Sequence, residues 1–199
     1  MFRTFSHAAL IAAALALATP ASAQTHSHAT KHPAAAKKPA VEGPKVALLG
    51  GKLSFTLPAG YSASSMDAGD DQKGTGGAKG TMYQSPKEKR VVLTSEGPTP
   101  NQAAVTDYDA AFLDAAVQGF VKEQSAGLPD FKKTGEREFT LKGLGVRELD
   151  STATQGGGPT LQATFIAGSG NSMTIVQVIS RADDQKGHAA VVKRIAAGQ

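Results

Sequence analysis

The sequence predicts an α+β fold, an antiparallel β-sheet flanked by helices. Four segments between residues 134 and 180 are rich in strand-forming side chains and are separated only by short Gly-rich joints. Short joints connect antiparallel strands, because parallel strands need a long crossover. Residues 107–127 repeat apolar side chains at helical spacing, and a second such segment closes the chain. Helices packed on an antiparallel sheet form a layered α+β domain.

The chain has 199 residues and no cysteine, so it has neither disulfides nor a cysteine nucleophile, thiolate metal site or cysteine-linked lipid anchor. Its net charge of +4 is unevenly spread. Five of the 21 Lys and Arg, but only one of the 17 Asp and Glu, lie within residues 1–45. The remainder carries both signs equally and lacks the basic footprint of a nucleic-acid binder.

Residues 1–23 read as a secretory signal peptide. Arg3 precedes the apolar run Ala8 to Ala18, Pro20 breaks it, and Ala21-Ser22-Ala23 fits a cleavage site before Gln24. The run is too short to span a bilayer, which needs about 20 residues. The mature chain is therefore expected in the periplasm, with no transmembrane segment. Residues 24–45 are rich in Ala, Pro, Lys and His and almost free of bulky apolar side chains, the composition of a disordered linker. His26, His28 and His32 lie here. With a free amine at Gln24, His26 could complete a square-planar nitrogen set for Cu(II) or Ni(II), although an N-terminal glutamine readily cyclises. A polar spacer is the adopted reading, and metal handling by the tail is the alternative. The few lysines give at most weak contact with anionic lipid.

The folded domain spans residues 46–199. Val46 to Leu49 is a short strand or turn. In LLGGKLSFTLPAGY (Leu48–Tyr61), Leu53, Phe55 and Leu57 alternate with Ser54 and Thr56, the period of a strand with one buried face. Ser62 to Gly80 reads as a mobile loop. Its GTGGAKG (Gly74–Gly80) lacks both the third glycine of a dinucleotide fingerprint and the Lys-Ser/Thr of a P-loop, and its Asp67, Asp70 and Asp71 do not have EF-hand spacing. Gly80 to Ser85 and Arg90 to Glu96 form a hairpin, and Gly97 to Pro100 is a break. A helix follows, capped by Thr106 or Asp107. Tyr108, Phe112, Ala116 and Phe120, with Leu113, Val117 and Val121, form its packed stripe, and Gly127 with Pro129 ends it. The strands of the meander are Thr134 to Leu141, Leu144 to Thr154, Thr160 to Ala167 and Ser172 to Ser180. Their joints are Lys142-Gly143, Gly156 to Pro159 and Gly168 to Asn171. Met173 to Ile179 is apolar on both faces, so helices should cover both sides of the sheet. Asp183 caps the last helix, with Ala189, Val192, Ile195 and Ala196 packed inward.

Catalytic chemistry is not visible. His188 is the only histidine after residue 45 and reads as a surface helix residue. Ser169 lies between glycines in turn composition, not in a nucleophile elbow. There is no His-Glu-x-x-His, and one histidine does not build a typical zinc site. Glu136/Glu138 and Asp183/Asp184 have solvation and capping explanations. No catalytic, cofactor or metal residue is assigned.

GKLSFTLPAGY (Gly51–Tyr61), LKG (Leu141–Gly143), ELDS (Glu148–Ser151) and ADDQ (Ala182–Gln185) occur in an order similar to that of DcrB-like proteins. The resemblance spans about Leu48 to Ala197. It implies a PsbP-like α/β/α sandwich and a small bacterial envelope protein without established catalytic residues. The chain departs from many of these proteins in lacking the cysteine of a lipoprotein. The expected function is a non-enzymatic periplasmic binding module with an envelope protein partner and no cofactor. An enzyme with an unrecognised site is a further alternative.

Overall fold

The computed structural model describes residues 42–67 and 77–199. The predicted signal peptide and the copper-binding possibility at His26, His28 and His32 lie outside them.

Strands β1 (Lys45–Leu48) and β2 (Leu53–Thr56) form a small antiparallel hairpin of their own. Then come β3 (Ser62–Ser65), β4 (Lys79–Ser85) and β5 (Arg90–Pro98). Helix α1 (Ala110–Gly127) leads into β6 (Lys132–Leu141), β7 (Leu144–Gln155), β8 (Gly158–Ser169) and β9 (Ser172–Arg181), and helix α2 (Gln185–Ala196) closes the chain. The main sheet has seven strands in the order β3-β4-β5-β9-β8-β7-β6, all antiparallel. The β6–β9 meander thus returns to lay β9 beside β5.

The two faces of the sheet have different covers. On one, α2 and the β1–β2 hairpin lie over Val92, Val146, Ala163, Phe165, Val176 and Val178, and bring Phe55, Leu57, Val191 and Ile195 to them. On the other, α1 sets Val117 and Phe120 against Leu149 and Ile166. This double cover explains why β9 carries apolar side chains on both faces, Val176 and Val178 toward α2 and Met173 and Ile175 toward α1. The Leu53/Phe55/Leu57 alternation is buried as the sequence requires, and Phe55 sits under α2 as part of the larger core.

Several boundaries differ from those the sequence predicts. The loop expected from Ser62 to Gly80 contains β3 and the start of β4. Ser62–Ser65 carries no hydrophobic alternation, and backbone pairing with β4 alone makes it a strand. The caps lie further along than expected. Asp109, not Thr106 or Asp107, accepts the Phe112 N–H at 2.9 Å, and Asp184, not Asp183, accepts the Gly187 N–H at 3.2 Å. Tyr108 consequently precedes α1 and is 46 % exposed instead of joining its stripe. The joints are tighter than the composition implies. Gly156-Gly157 alone turns β7 into β8, both with positive φ (57° and 82°), so Gly158 and Pro159 belong to the strand.

Candidate functional site

A dense group of charged and polar side chains lies where β5, β9 and the first turn of α2 meet. Arg90, the first residue of β5, points to the α2 face and is 4 % exposed. Burial of a guanidinium is costly unless each N–H finds an acceptor, and here four partners supply them. Asp184 pairs with Nη2, Glu88 with Nη1 at 2.5 Å, the Tyr61 hydroxyl with Nη1 at 3.2 Å, and Ser180 Oγ with Nε at 3.2 Å. Burial works against the Arg90 charge, but the Asp184 and Tyr61 hydrogen bonds outweigh it and raise its pKa. Tyr61 is also pushed up, chiefly by burial.

Ser180 Oγ lies 3.0 Å from His188 Nδ1. Because Ser180 accepts from Arg90 Nε, its own proton is free to go to His188. Nδ1 is then the acceptor, and the neutral ring carries its proton on Nε2. Burial lowers the His188 pKa in agreement. The surface position that the sequence predicts for His188 is not found: the residue is 9 % exposed, because α2 turns it toward β9. A Ser–His hydrogen bond resembles the start of a nucleophilic dyad. Here Ser180 is 1 % exposed beneath α2 and its oxygen is engaged by Arg90. The pair clasps α2 to β9 and presents no nucleophile to solvent.

Above this cluster is an open groove of about 360 Å³. Pro58, Ala190 and Val191 form apolar walls, and Glu88, Arg90 and Asp184 the polar end. The side chains of Glu88 and Asp184 are 40 % and 31 % exposed. With one guanidinium between them, the mouth keeps one net negative charge.

Elsewhere, the polar residues singled out in the sequence serve as structural ties. Ser169 Oγ meets Lys52 Nζ at 2.8 Å, a pairing reminiscent of Ser–Lys catalysis. The Lys52 ammonium gives its other two hydrogens to both oxygens of Asp107, at 2.7 and 2.8 Å, and Ser169 donates to Asp107 at 2.7 Å. No lone pair is left to take the serine proton. The Lys52 hydrogen bond lowers the Asp107 pKa. Glu138 pairs with Arg147, which also holds Asp114 of α1 at 2.6 Å, and Glu136 pairs with Lys133. Glu148, buried beside Arg137 at 2.6 Å, has its pKa raised by that burial. Among the described residues no three His, Asp or Glu side chains converge in a metal-binding group.

The sheet edges also differ. At one end β6 carries Lys132, Lys133, Glu136, Arg137 and Glu138 and a bulge between Lys133 and Gly135. Charges and bulges discourage strand addition. At the other end β3 offers only Ser62, Ala63, Ser64 and Ser65, all exposed. The Met66 N–H donates inward to Gly80 at 3.0 Å. By the alternation of an antiparallel ladder, Ser64 and Ser62 also face inward, and Ala63 and Ser65 turn their N–H and C=O outward.

The chain is similar in structure to the cyanobacterial PsbP of Synechocystis sp. PCC 6803, with a TM-score of 0.55 over 82 % of this chain and 96 % of that one, at 9 % identity. The fold is PsbP-like. A protein of unknown function from Pseudomonas aeruginosa aligns more loosely, with a TM-score of 0.45 and 13 % identity over 78 % of this chain and 94 % of that one. No family model and no curated protein matches the sequence. Among the described residues no helix is long and apolar enough to cross a membrane.

Proposed function

We propose that this protein is an exported, non-catalytic binding module of the DcrB-like kind, working in the bacterial periplasm through a protein partner that adds a strand to β3. The β3 edge, which no strand among the described residues covers, carries this reading. Its side chains are small and uncharged, its outward backbone groups are available, and the opposite edge is protected by charge and by a bulge. Strand addition draws its affinity from such main-chain groups. The leader-like residues 1–23 support export. The sealed Ser180–His188 pair and the fully engaged Lys52–Asp107–Ser169 group support a role without catalysis.

The test is a photo-crosslinking side chain at Ala63 in cells making the full chain. A discrete crosslinked envelope protein, lost in a Ser65→Pro background that removes one outward donor and leaves the β4 ladder intact, is the expected result. Absence of any species, or a species indifferent to the proline, overturns strand addition at this edge.

A further inference from the structure

We propose that residues 185–190, the first half of α2, are an acid-released latch: a proton on the His188 ring lets this stretch unwind from β9 while the second half of the helix stays docked. The proposal stands independently of the β3 edge. It rests first on how unevenly α2 is held. Among residues 185–190 His188 is the only buried side chain, and its ring meets Ser180 Oγ of β9 at 3.0 Å. The backbone at Gly187 lies on the Arg90 guanidinium, where a Cβ would not fit, and a glycine inside a helix weakens it. The second half is anchored otherwise. Val191 and Ile195 are each 1 % exposed in the larger core, and the Gln199 carbonyl just beyond the helix accepts the Thr56 N–H at 2.7 Å.

The hydrogen bonds then make the first half sensitive to one proton. With the ring neutral, Ser180 Oγ accepts from Arg90 Nε and donates to His188 Nδ1, so each hydrogen has an acceptor. A protonated ring carries hydrogen on Nδ1 as well. The Arg90 Nε–H, the His188 Nδ1–H and the serine's own hydrogen then converge on one buried oxygen. The charged groups around the ring are Arg90 of β5, Asp150 of β7 and Asp184 at the head of α2, with Tyr61 and Glu88 tied to Arg90. Burial, the largest influence, and the Arg90 charge oppose a proton on the ring and outweigh the attraction of the two aspartates. A charged ring is therefore better hydrated away from β9 than held against it. Leaving β9 deprives this stretch of its one buried side chain, so it unwinds between Asp184, still paired with Arg90, and Val191. Gly187 and Ala190 line the groove beside α2, so the groove is whole at neutral pH and dismantled in acid.

Backbone hydrogen exchange of the full chain, followed residue by residue by NMR, tests the latch. The reporters are the amides of Gly187 and His188, which donate to the Asp184 side chain and carbonyl. Between about pH 7.5 and about pH 5.5, after correction for the chemical exchange rate, their protection should fall about threefold or more. Low urea should leave these amides unaffected and accelerate exchange at Ile195, because urea promotes only openings that expose much surface. His188→Gln, which keeps an acceptor for Ser180 and does not titrate, should abolish the pH dependence. If the Gly187 and His188 amides respond to urea as steeply as that of Ile195, the opening is global and the latch is overturned. Protection that ignores pH, or a pH dependence that survives His188→Gln, overturns it as well. The ring itself gives a reading that needs no variant: its nitrogen spectrum at about pH 7.5 should show a neutral imidazole protonated on Nε2, and a proton on Nδ1 overturns the proposal.

Discussion

Two helical glycines should respond oppositely to the same substitution. Glycine in a helix costs roughly 0.5–1 kcal/mol relative to alanine, because it loses more backbone freedom on folding. At Gly119 in α1 a Cβ would meet nothing within 4 Å, so Gly119→Ala gains this amount without a steric cost. At Gly187 in the first turn of α2 a Cβ would overlap both the Arg90 guanidinium and the Asp184 carboxylate. Arg90 has no slack, since β5 fixes its backbone and Tyr61, Ser180, Glu88 and Asp184 fix its head. Forcing an extra methyl into a packed site costs about 1–3 kcal/mol. Set against the helical gain, Gly187→Ala is expected to destabilise by about 1–2 kcal/mol. For a chain of this size, 1 kcal/mol moves the melting temperature by about 2–4 °C. Gly119→Ala should therefore raise Tm by about 2–3 °C, and Gly187→Ala should lower it by about 3–6 °C, by circular dichroism or calorimetry. The cause is checked by coupling: in an Arg90→Met background the overlap with the guanidinium is relieved and Asp184 loses the partner that holds it, so Gly187→Ala should cost measurably less. Equal effects of the two alanines, or an unchanged cost in that background, would refute the tight packing of α2 on Arg90.

Two further outcomes follow from the core and from His188. Phe55→Ala removes a side chain only 3 % exposed between the hairpin, α2 and the sheet, and should cost about 3–5 kcal/mol in urea unfolding; an unaltered midpoint would mean that the hairpin is not part of the cooperative core. Stability should fall as pH drops below about 6.5, because the unfolded chain takes up a proton that burial denies to folded His188. Glu148 acts in the opposite sense, since its raised folded pKa contributes stability that is full below its unfolded value and is lost as pH rises through the folded one. His188→Gln, which keeps an acceptor for Ser180, should flatten the slope between neutral pH and about pH 5.5, and a slope that persists would assign it to another group.

Apart from β3, the order of strands and helices, the inward set Leu53, Phe55 and Leu57, and the need for cover on both sides of β9 are legible in the sequence alone. Those features are written in local periodicity and turn residues, so one segment at a time reveals them. It holds no sign of β3, because Ser62–Ser65 has no side-chain pattern and becomes a strand only by pairing with β4. It misplaces both caps by a residue or more, since several neighbouring Asp and Thr side chains are chemically able to cap and packing decides which one does. The charged cluster was beyond its reach for a different reason. Tyr61, Arg90, Ser180 and His188 come from distant parts of the chain, and only the return of β9 beside β5, with α2 folded over both, brings them within hydrogen-bonding distance. The same topology makes His188, a surface residue by sequence, a buried acceptor. It also places Gly43 and Pro44 against Leu57 and Pro58, a neighbourhood that exists only in three dimensions.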